Sequence, residues 1–339
     1  MYRGIPKETM NGMILEIFDI DLPMREALIT AKQSISRRSG QEIHLTHEGH
    51  TGKGEVLPLP LWSKVSDLET KEELQGIQSN PEEFLMRAQS LSLEVQAGMA
   101  SAIWAQKAAL LGEPLWSVLG GTSDQVLVNA LIGGGTEAEF RNSLEKALND
   151  GYGTIKVKMG FPEDQRRLKI VSEHVTSETK VRLDANCSWT LREAVEITRQ
   201  AVKLFRDQLE YVEDPVTTID QLHQVRADLP VPVATDALTP DMNAIEQVIS
   251  MGVADNVILK PLLLGGIDAV LALSKTARDA GITPVISSTF DGPVGLTSWC
   301  HLASAIGPNT THGLGTAALI DDKRMKPLIP RNGVIKLSS

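Results

Sequence analysis

Six residues in this chain are of the right types, in the right order, to move a proton at a carbon next to a carboxylate: Lys156, Lys158, Asp184, Glu213, Asp236 and Lys260. The first two lie in Thr154-Ile155-Lys156-Val157-Lys158-Met159-Gly160, an alternating, partly β-branched run that a glycine ends, which reads as a strand. A period of two puts both lysines on one face and Ile155 and Val157 on the other. Neighbouring ammonium groups repel, so one of them should hold its proton loosely and serve as a base. A Lys-x-Lys pair is common on exposed strands, and its weight here comes from the four segments that follow. Val181-Arg182-Leu183-Asp184-Ala185-Asn186 presents Arg182, Asp184 and Asn186 on one face. Three later segments end in a charged residue, at Glu213-Asp214, Asp236 and Lys260.

Carboxylates converging from three strands repel unless a cation lies between them. Hard oxygen ligands from Asp184, Glu213 and Asp236 suit Mg²⁺, with Mn²⁺ as a substitute, and leave positions open for substrate oxygens. Protonated lysines are not ligands. They fit as acid/base groups flanking a metal-bound carboxylate, whose enediolate the metal would stabilise.

The elements that must position these groups alternate strand and helix from residue 126 onward. Strands are expected at 126–132, 154–158, 181–185, 209–214, 231–236, 256–261, 284–288 and 312–316, with helices between them. That alternation implies parallel strands with crossover helices, and eight strands suit a closed (β/α) barrel whose active site lies at the C-terminal strand ends. Residues 1–121 read as a separate α+β capping domain. Strands are expected at 13–18 and 42–47, a turn through Gly49-His50-Thr51-Gly52-Lys53-Gly54, and helical pattern from 67 to 119. Asn80-Pro81-Glu82-Glu83 carries helix-start chemistry: a capping Asn, a proline and acids in the first turn. The barrel is expected over 122–329, and 330–339 is expected to return as a strand to the capping domain.

Composition narrows the functional classes. A formal charge of −10 with no basic stripe argues against nucleic acid. No polybasic run suggests a membrane surface, and no apolar run approaches a bilayer-spanning length. The N-terminal residues lack the apolar core of a signal peptide, and Cys187 and Cys300 have neither metal-type spacing nor a disulfide framework. A soluble cytoplasmic enzyme acting on a small-molecule carboxylate is expected, with its oligomeric state open.

The chain resembles the enolase superfamily, in particular its muconate-lactonizing-like subgroup. The likeness is carried by Gly52-Lys53-Gly54-Glu55, Pro58-Leu59-Pro60, the stretch Ala97-Gly98-Met99-Ala100-Ser101-Ala102-Ile103-Trp104 and Leu119-Gly120-Gly121. Within the subgroup it looks most like the o-succinylbenzoate synthases, through Leu183-Asp184-Ala185-Asn186, Ile258-Leu259-Lys260-Pro261, Ile286-Ser287-Ser288 and Gly313-Leu314-Gly315-Thr316. The resemblance implies a modified TIM barrel with a capping domain, and a dehydratase of menaquinone synthesis. It implies Lys158 as the base that returns its proton to a departing hydroxyl, and Lys260 as the group that stabilises the enediolate. By the same resemblance Asp184, Glu213 and Asp236 are metal ligands, Arg182 and Asn186 support them near the metal, and Lys156 supports the base by lowering the pKa of Lys158. Ser287, with Ser288 and Gly313, is where substrate contacts are expected. Two positions depart from the pattern: Ala237 follows Asp236 where relatives often carry a glutamate, and Thr289-Phe290-Asp291 continues the seventh strand differently.

Two lysines on opposite faces of an α-carbon also serve racemases, so an N-acylamino acid racemase, or another epimerase or cycloisomerase of the same subgroup, is the alternative reading. A dipeptide epimerase would need carboxylates where Gly313-Leu314-Gly315 stands. His44, His47 and His50 cannot all reach one ion from a strand and read as a polar hairpin. The five tryptophans read as packing anchors, and Gly265-Gly266 as a turn after the sixth strand.

Overall fold

The computed structural model describes residues 12–29 and 34–337. The N-terminal part is a three-stranded antiparallel sheet of β1 (Ile14–Ile29), β2 (Ser34–His47) and β3 (His50–Val56), covered by the helix Leu93–Leu111. Only Glu48 and Gly49 turn the β2–β3 hairpin, both at positive φ, and His47 faces His50 across it. The run 50–54, expected as turn, is therefore strand. Its glycines serve packing: a Cβ on Gly52 would lie 2.0 Å from the Ala102 carbonyl oxygen, and one on Gly54 2.0 Å from that of Gly98. Helix backbone rests directly on strand backbone, which only glycine permits.

The helical stretch after residue 67 divides into several pieces. Asp67–Gln78 starts with a capping box in which Ser66 and Glu69 satisfy each other's backbone N–H. The start expected at Asn80 yields only the five-residue helix Glu83–Arg87. There the Asn80 side chain donates to the Glu83 carboxylate instead of capping a backbone N–H.

Eight parallel strand positions close the barrel. The first is split at Asn129 into β4 (Gln125–Val128) and β5 (Ala130–Ile132). Then come β6 (Thr154–Lys158), β7 (Lys180–Asp184), β8 (Leu209–Glu213), β9 (Val233–Thr235), β10 (Asn256–Leu259), β11 (Thr283–Ile286) and β12 (Thr311–His312). β5 to β11 form one sheet in sequence order. Closure comes from a parallel bridge between Ser287 and Gly313 and from β12 pairing with β4. Alternation is as expected: Ile155 and Val157 are fully buried among the core side chains, while Lys156 and Lys158 take the other face. The helices Glu137–Asn149 and Leu191–Phe205 both begin with capping boxes, Thr136/Glu139 and Thr190/Glu193.

β13 (Val334–Lys336) corrects one expectation. It pairs antiparallel with β4, the first barrel strand, and not with the capping sheet. β4 has β12 on one side and an open edge on the other, and β13 satisfies that edge. Contact with the capping domain comes earlier, where Asp321 N–H donates to the Pro23 carbonyl and Arg324 to Glu42.

His312 fastens the closure. Its Nδ1 accepts from the Ile286 N–H at 3.0 Å and its Nε2 donates to the Gly307 carbonyl at 3.1 Å, so the neutral ring joins β11, β12 and a helix end. Burial pushes His312 down to about 4, and burial does the same to His301, whose Nδ1 accepts from the Trp116 N–H. A depressed histidine is neutral when folded and protonates readily when unfolded. Stability is therefore lost as pH falls from about 6.5 to 4, by on the order of 3 kcal/mol for a single such group. His312→Gln is expected to flatten that slope in urea unfolding followed between pH 7 and 4, and to lower stability at pH 7.

Candidate active site

The strand register assembles the centre. β6 pairs with β7 so that Lys158 lies beside Asp184, and β7 with β8 so that Asp184 lies beside Glu213. One level below, Lys156, Arg182 and Tyr211 are aligned in the same way. Both lysines converge on Asp184: its Oδ2 is 2.6 Å from Lys158 Nζ and 2.9 Å from Lys156 Nζ. Lys156 also reaches Glu213 Oε1 at 2.6 Å. Lys260, at the end of β10, holds Asp236 at 2.7 Å. β6 and β10 are four steps apart around an eight-strand ring, so Lys158 and Lys260 approach the mouth from opposite sides.

Asp184, Glu213 and Asp214 are fully buried. Burial by itself would lower the Lys156 ammonium, but the Asp184 and Glu213 carboxylates outweigh it and hold Lys156 well above the usual lysine range. Lys156 is thus a fixed cation that balances the acids. Burial would raise Asp184, yet two lysines on one carboxylate pull it below the usual range. Glu213 is pushed up, first by burial and then by the Asp184 charge, and its Oε2 has no hydrogen-bond partner.

The acids that come together are Asp184, Glu213 and Asp214, with ligand oxygens within 4.8 Å of one another. They are positioned to hold a metal. Their all-carboxylate chemistry and the unpartnered Glu213 oxygen suit a hard divalent cation. Asp236, expected in this group from sequence, stands outside it with its carboxylate on Lys260. Asp214 was missed by the sequence reading. It sits at φ +44, and its two oxygens accept the backbone N–H groups of Asp236, Ala237 and Leu238 at 3.0, 2.6 and 3.3 Å. It anchors the loop that carries Asp236, and the signal for it was its place directly after Glu213.

The supporting residues divide. Asn186 is at the centre: its Oδ1 accepts from Lys158 at 2.7 Å, its N–H donates to Asp184, and its φ of +46 is one that asparagine tolerates. Arg182 corrects the expectation of a place near the metal. It is buried a level deeper, donating to Glu210, Asn129 and the Thr311 carbonyl, with its guanidinium over the Tyr211 ring. Ser288 is also differently engaged, since its hydroxyl donates to Asp291 and accepts from Thr316. The hydroxyl of half-buried Ser287 makes one long contact among the described residues, donating to the Gly313 carbonyl at 3.4 Å. Gly313 leaves room there, because a Cβ would come within 2.8 Å of Ser287 Oγ.

Trp62, expected as a packing anchor, instead lies on a capping-domain loop with its ring centroid 3.9 Å from Lys260 Nζ. It is 43% exposed. Its face stabilises the ammonium. The histidines lie in the hairpin, with His44 bonded to Glu42 at 2.9 Å. No helix among the described residues is long and apolar enough to cross a membrane.

Comparison with known proteins places the chain. Residues 139–339 match the family described as enolase C-terminal domain-like. The chain belongs to the enolase superfamily. Residues 13–104 match a second family, the MenC N-terminal domain. The o-succinylbenzoate synthase of Aliivibrio fischeri (strain MJ11) is 27% identical over 315 residues, covering 90% of each chain. That of Vibrio cholerae serotype O1 (strain M66-2) is 26% identical over 319 residues, covering 89% of each. Among solved structures, the L-Ala-D/L-Glu epimerase of Bacillus subtilis superposes with a TM-score of 0.82 at 22% identity, covering 91% of both chains. The N-succinyl Arg/Lys racemase of Bacillus cereus ATCC 14579 superposes at 0.83 and 20%, covering 96% of this chain and 92% of that one. These two share the modified TIM barrel with its cap.

Asp214→Ala is expected to leave three N–H groups, two of them buried, without their acceptor, a loss of about 2–4 kcal/mol. The urea midpoint should fall accordingly, and hydrogen exchange should quicken at 236–238.

Proposed function

We propose that this enolase-superfamily enzyme is an o-succinylbenzoate synthase-like dehydratase of menaquinone biosynthesis, acting in the cytoplasm on 2-succinyl-6-hydroxy-2,4-cyclohexadiene-1-carboxylate. The observation that carries the reading is the pair of amines on opposite sides of one mouth, Lys158 beside Asp184 and Lys260 beside Asp236. Kinship with o-succinylbenzoate synthases over nine-tenths of both chains supports the choice of reaction.

Asp184, Glu213 and Asp236 would hold Mg²⁺ or Mn²⁺. Asp236 is preferred over Asp214 because the Asp214 oxygens are already committed to three backbone N–H groups. Asp236, by contrast, is held only through an ammonium that can take another partner. When bound, the ion would supply positive charge for the substrate carboxylate as the adjacent carbon is deprotonated.

Lys158 takes the proton α to the carboxylate, and the electron pair of the broken C–H bond moves into the enediolate. Lys260 stabilises the developing oxyanion from the other side. The pair then returns to form the ring double bond as the C–O bond breaks. Lys158 gives its proton to the departing hydroxyl, which leaves as water. Asn186 orients Lys158 through the 2.7 Å contact. Lys156 balances Asp184 and Glu213 without taking part in proton transfer.

The same opposed amines would exchange an α-proton from either face, so N-acylamino acid racemisation is the second reading. A substrate with a free ammonium fits poorly, because Gly313-Leu314-Gly315 offers no carboxylate.

Purified protein with Mg²⁺ is expected to convert the cyclohexadiene substrate to the aromatic product, followed by absorbance, beside N-succinyl amino acids followed by polarimetry. Racemisation without dehydration would transfer the assignment to the second reading. Lys158→Ala and Lys260→Ala should each lower kcat by about 10³-fold or more, with circular dichroism unchanged. Chelation by EDTA should abolish turnover, and added Mg²⁺ or Mn²⁺ should restore it.

A further inference from the structure

Glu55 belongs to none of the machinery above, yet it is a carboxyl group buried to 2% exposure where the capping sheet meets the barrel. It lies on β3, and its Oε1 accepts the N–H of Gly292, from the loop after β11, at 2.6 Å. Its Oε2 has no hydrogen-bond partner. A Cβ on Gly292 would lie 2.5 Å from that oxygen, and one on Gly295, in the helix Pro293–Ile306 that follows, 2.7 Å from Oε1, so both positions must stay glycine for the carboxyl to fit. Burial and the neighbouring Asp291 charge push Glu55 up to about 7. A buried carboxyl costs stability unless hydrogen bonds and a nearby cation offset it, and here the Gly292 N–H and the Arg38 charge do so.

What it touches is the start of a chain of contacts to the mouth. Next to Gly292, Asp291 is 1% exposed and accepts from the Ser288 and Thr289 hydroxyls at 2.8 and 2.7 Å. Ser288 in turn accepts from Thr316, beyond β12, at 3.0 Å. The backbone of Ser287 and Ser288 is bridged to Gly313. A second cap residue, Arg38 on β2, donates to the Phe290 carbonyl of the same loop at 3.2 Å. Phe290 sits at φ +57, a conformation that needs outside support.

We propose that Glu55 is a positioning residue that ties the capping domain to loop 287–293, so that the strand-end loops around Ser287 and Gly313 take their place only with the cap seated. The link from those loops to substrate rests on the active-site reading given above. The tie itself is read without substrate.

Hydrogen exchange on the full-length protein provides that test. Glu55→Ala should speed exchange of amides in 287–293 and 312–316 by about tenfold or more, with the far side of the barrel at 154–184 unchanged. Glu55→Gln keeps an acceptor oxygen for Gly292 and should return exchange toward the native rate. For whichever substrate the enzyme turns over, Glu55→Ala should raise KM by about tenfold with kcat within about twofold. Native exchange in 287–293 in folded Glu55→Ala would overturn the proposal. So would a Glu55→Gln variant whose 287–293 amides exchange about tenfold or more faster than in the native protein, a result that can be read even should the alanine protein not fold. A barrel that turns over neither substrate class but shows the exchange pattern would refute the functional reading and leave the tie standing.

Discussion

Crowding of negative charge at one end of a barrel is the constraint the rest of this structure answers. Asp184, Glu213, Asp214 and Asp236 come from three adjacent strand ends, and three of them are fully buried. Carboxylates this close and this dry repel strongly, and each needs a cation or donors. The chain meets the need in two ways. Lys156, Lys158 and Lys260 bring ammonium groups to Asp184, Glu213 and Asp236, and three backbone N–H groups satisfy Asp214. The cluster of Asp184, Glu213 and Asp214, with one Glu213 oxygen unpartnered, suits a divalent cation.

The barrel's register gives this balance its precision. Because β6, β7 and β8 pair without slippage at their C-terminal ends, Lys158, Asp184 and Glu213 share one level. A one-residue shift would turn every one of these side chains outward. His312 and the Ser287–Gly313 bridge hold the last strands so that the ring closes, and β13 covers the edge left at β4. Stability elements and site elements are therefore interleaved on the same strands. The capping domain enters through Trp62 over Lys260 and through Glu55 and Arg38 on the loop after β11.

How much of this was legible beforehand followed the range of the interaction. The Lys-x-Lys strand was readable because alternation is local and period two fixes which side chains share a face. Asp184, Glu213 and Lys260 were readable for the same reason, each ending an apolar run. Asp214 was not, since its three donors come from a neighbouring strand end and nothing in Glu213-Asp214-Pro215 says which acid turns toward them. Arg182 shares its face with Asp184, and the resemblance implies a supporting place near the metal, but neither alternation nor likeness reports depth, and the residue lies one level lower with Glu210. The glycines of β3 read as turn because a helix packed against them is invisible in sequence.

Sequence alone determined the order of strands and helices, the acid and amine types, and the family likeness, because these depend on local periodicity and residue chemistry. Tertiary structure decided which acid anchors a loop and which stands free. It also decided that Trp62 faces an ammonium, that the last strand joins the barrel, and that a buried Glu55 reaches across from the cap. Each of those depends on residues far apart in the chain meeting in a water-poor space, where a single unpaired charge or N–H costs more than any local preference supplies.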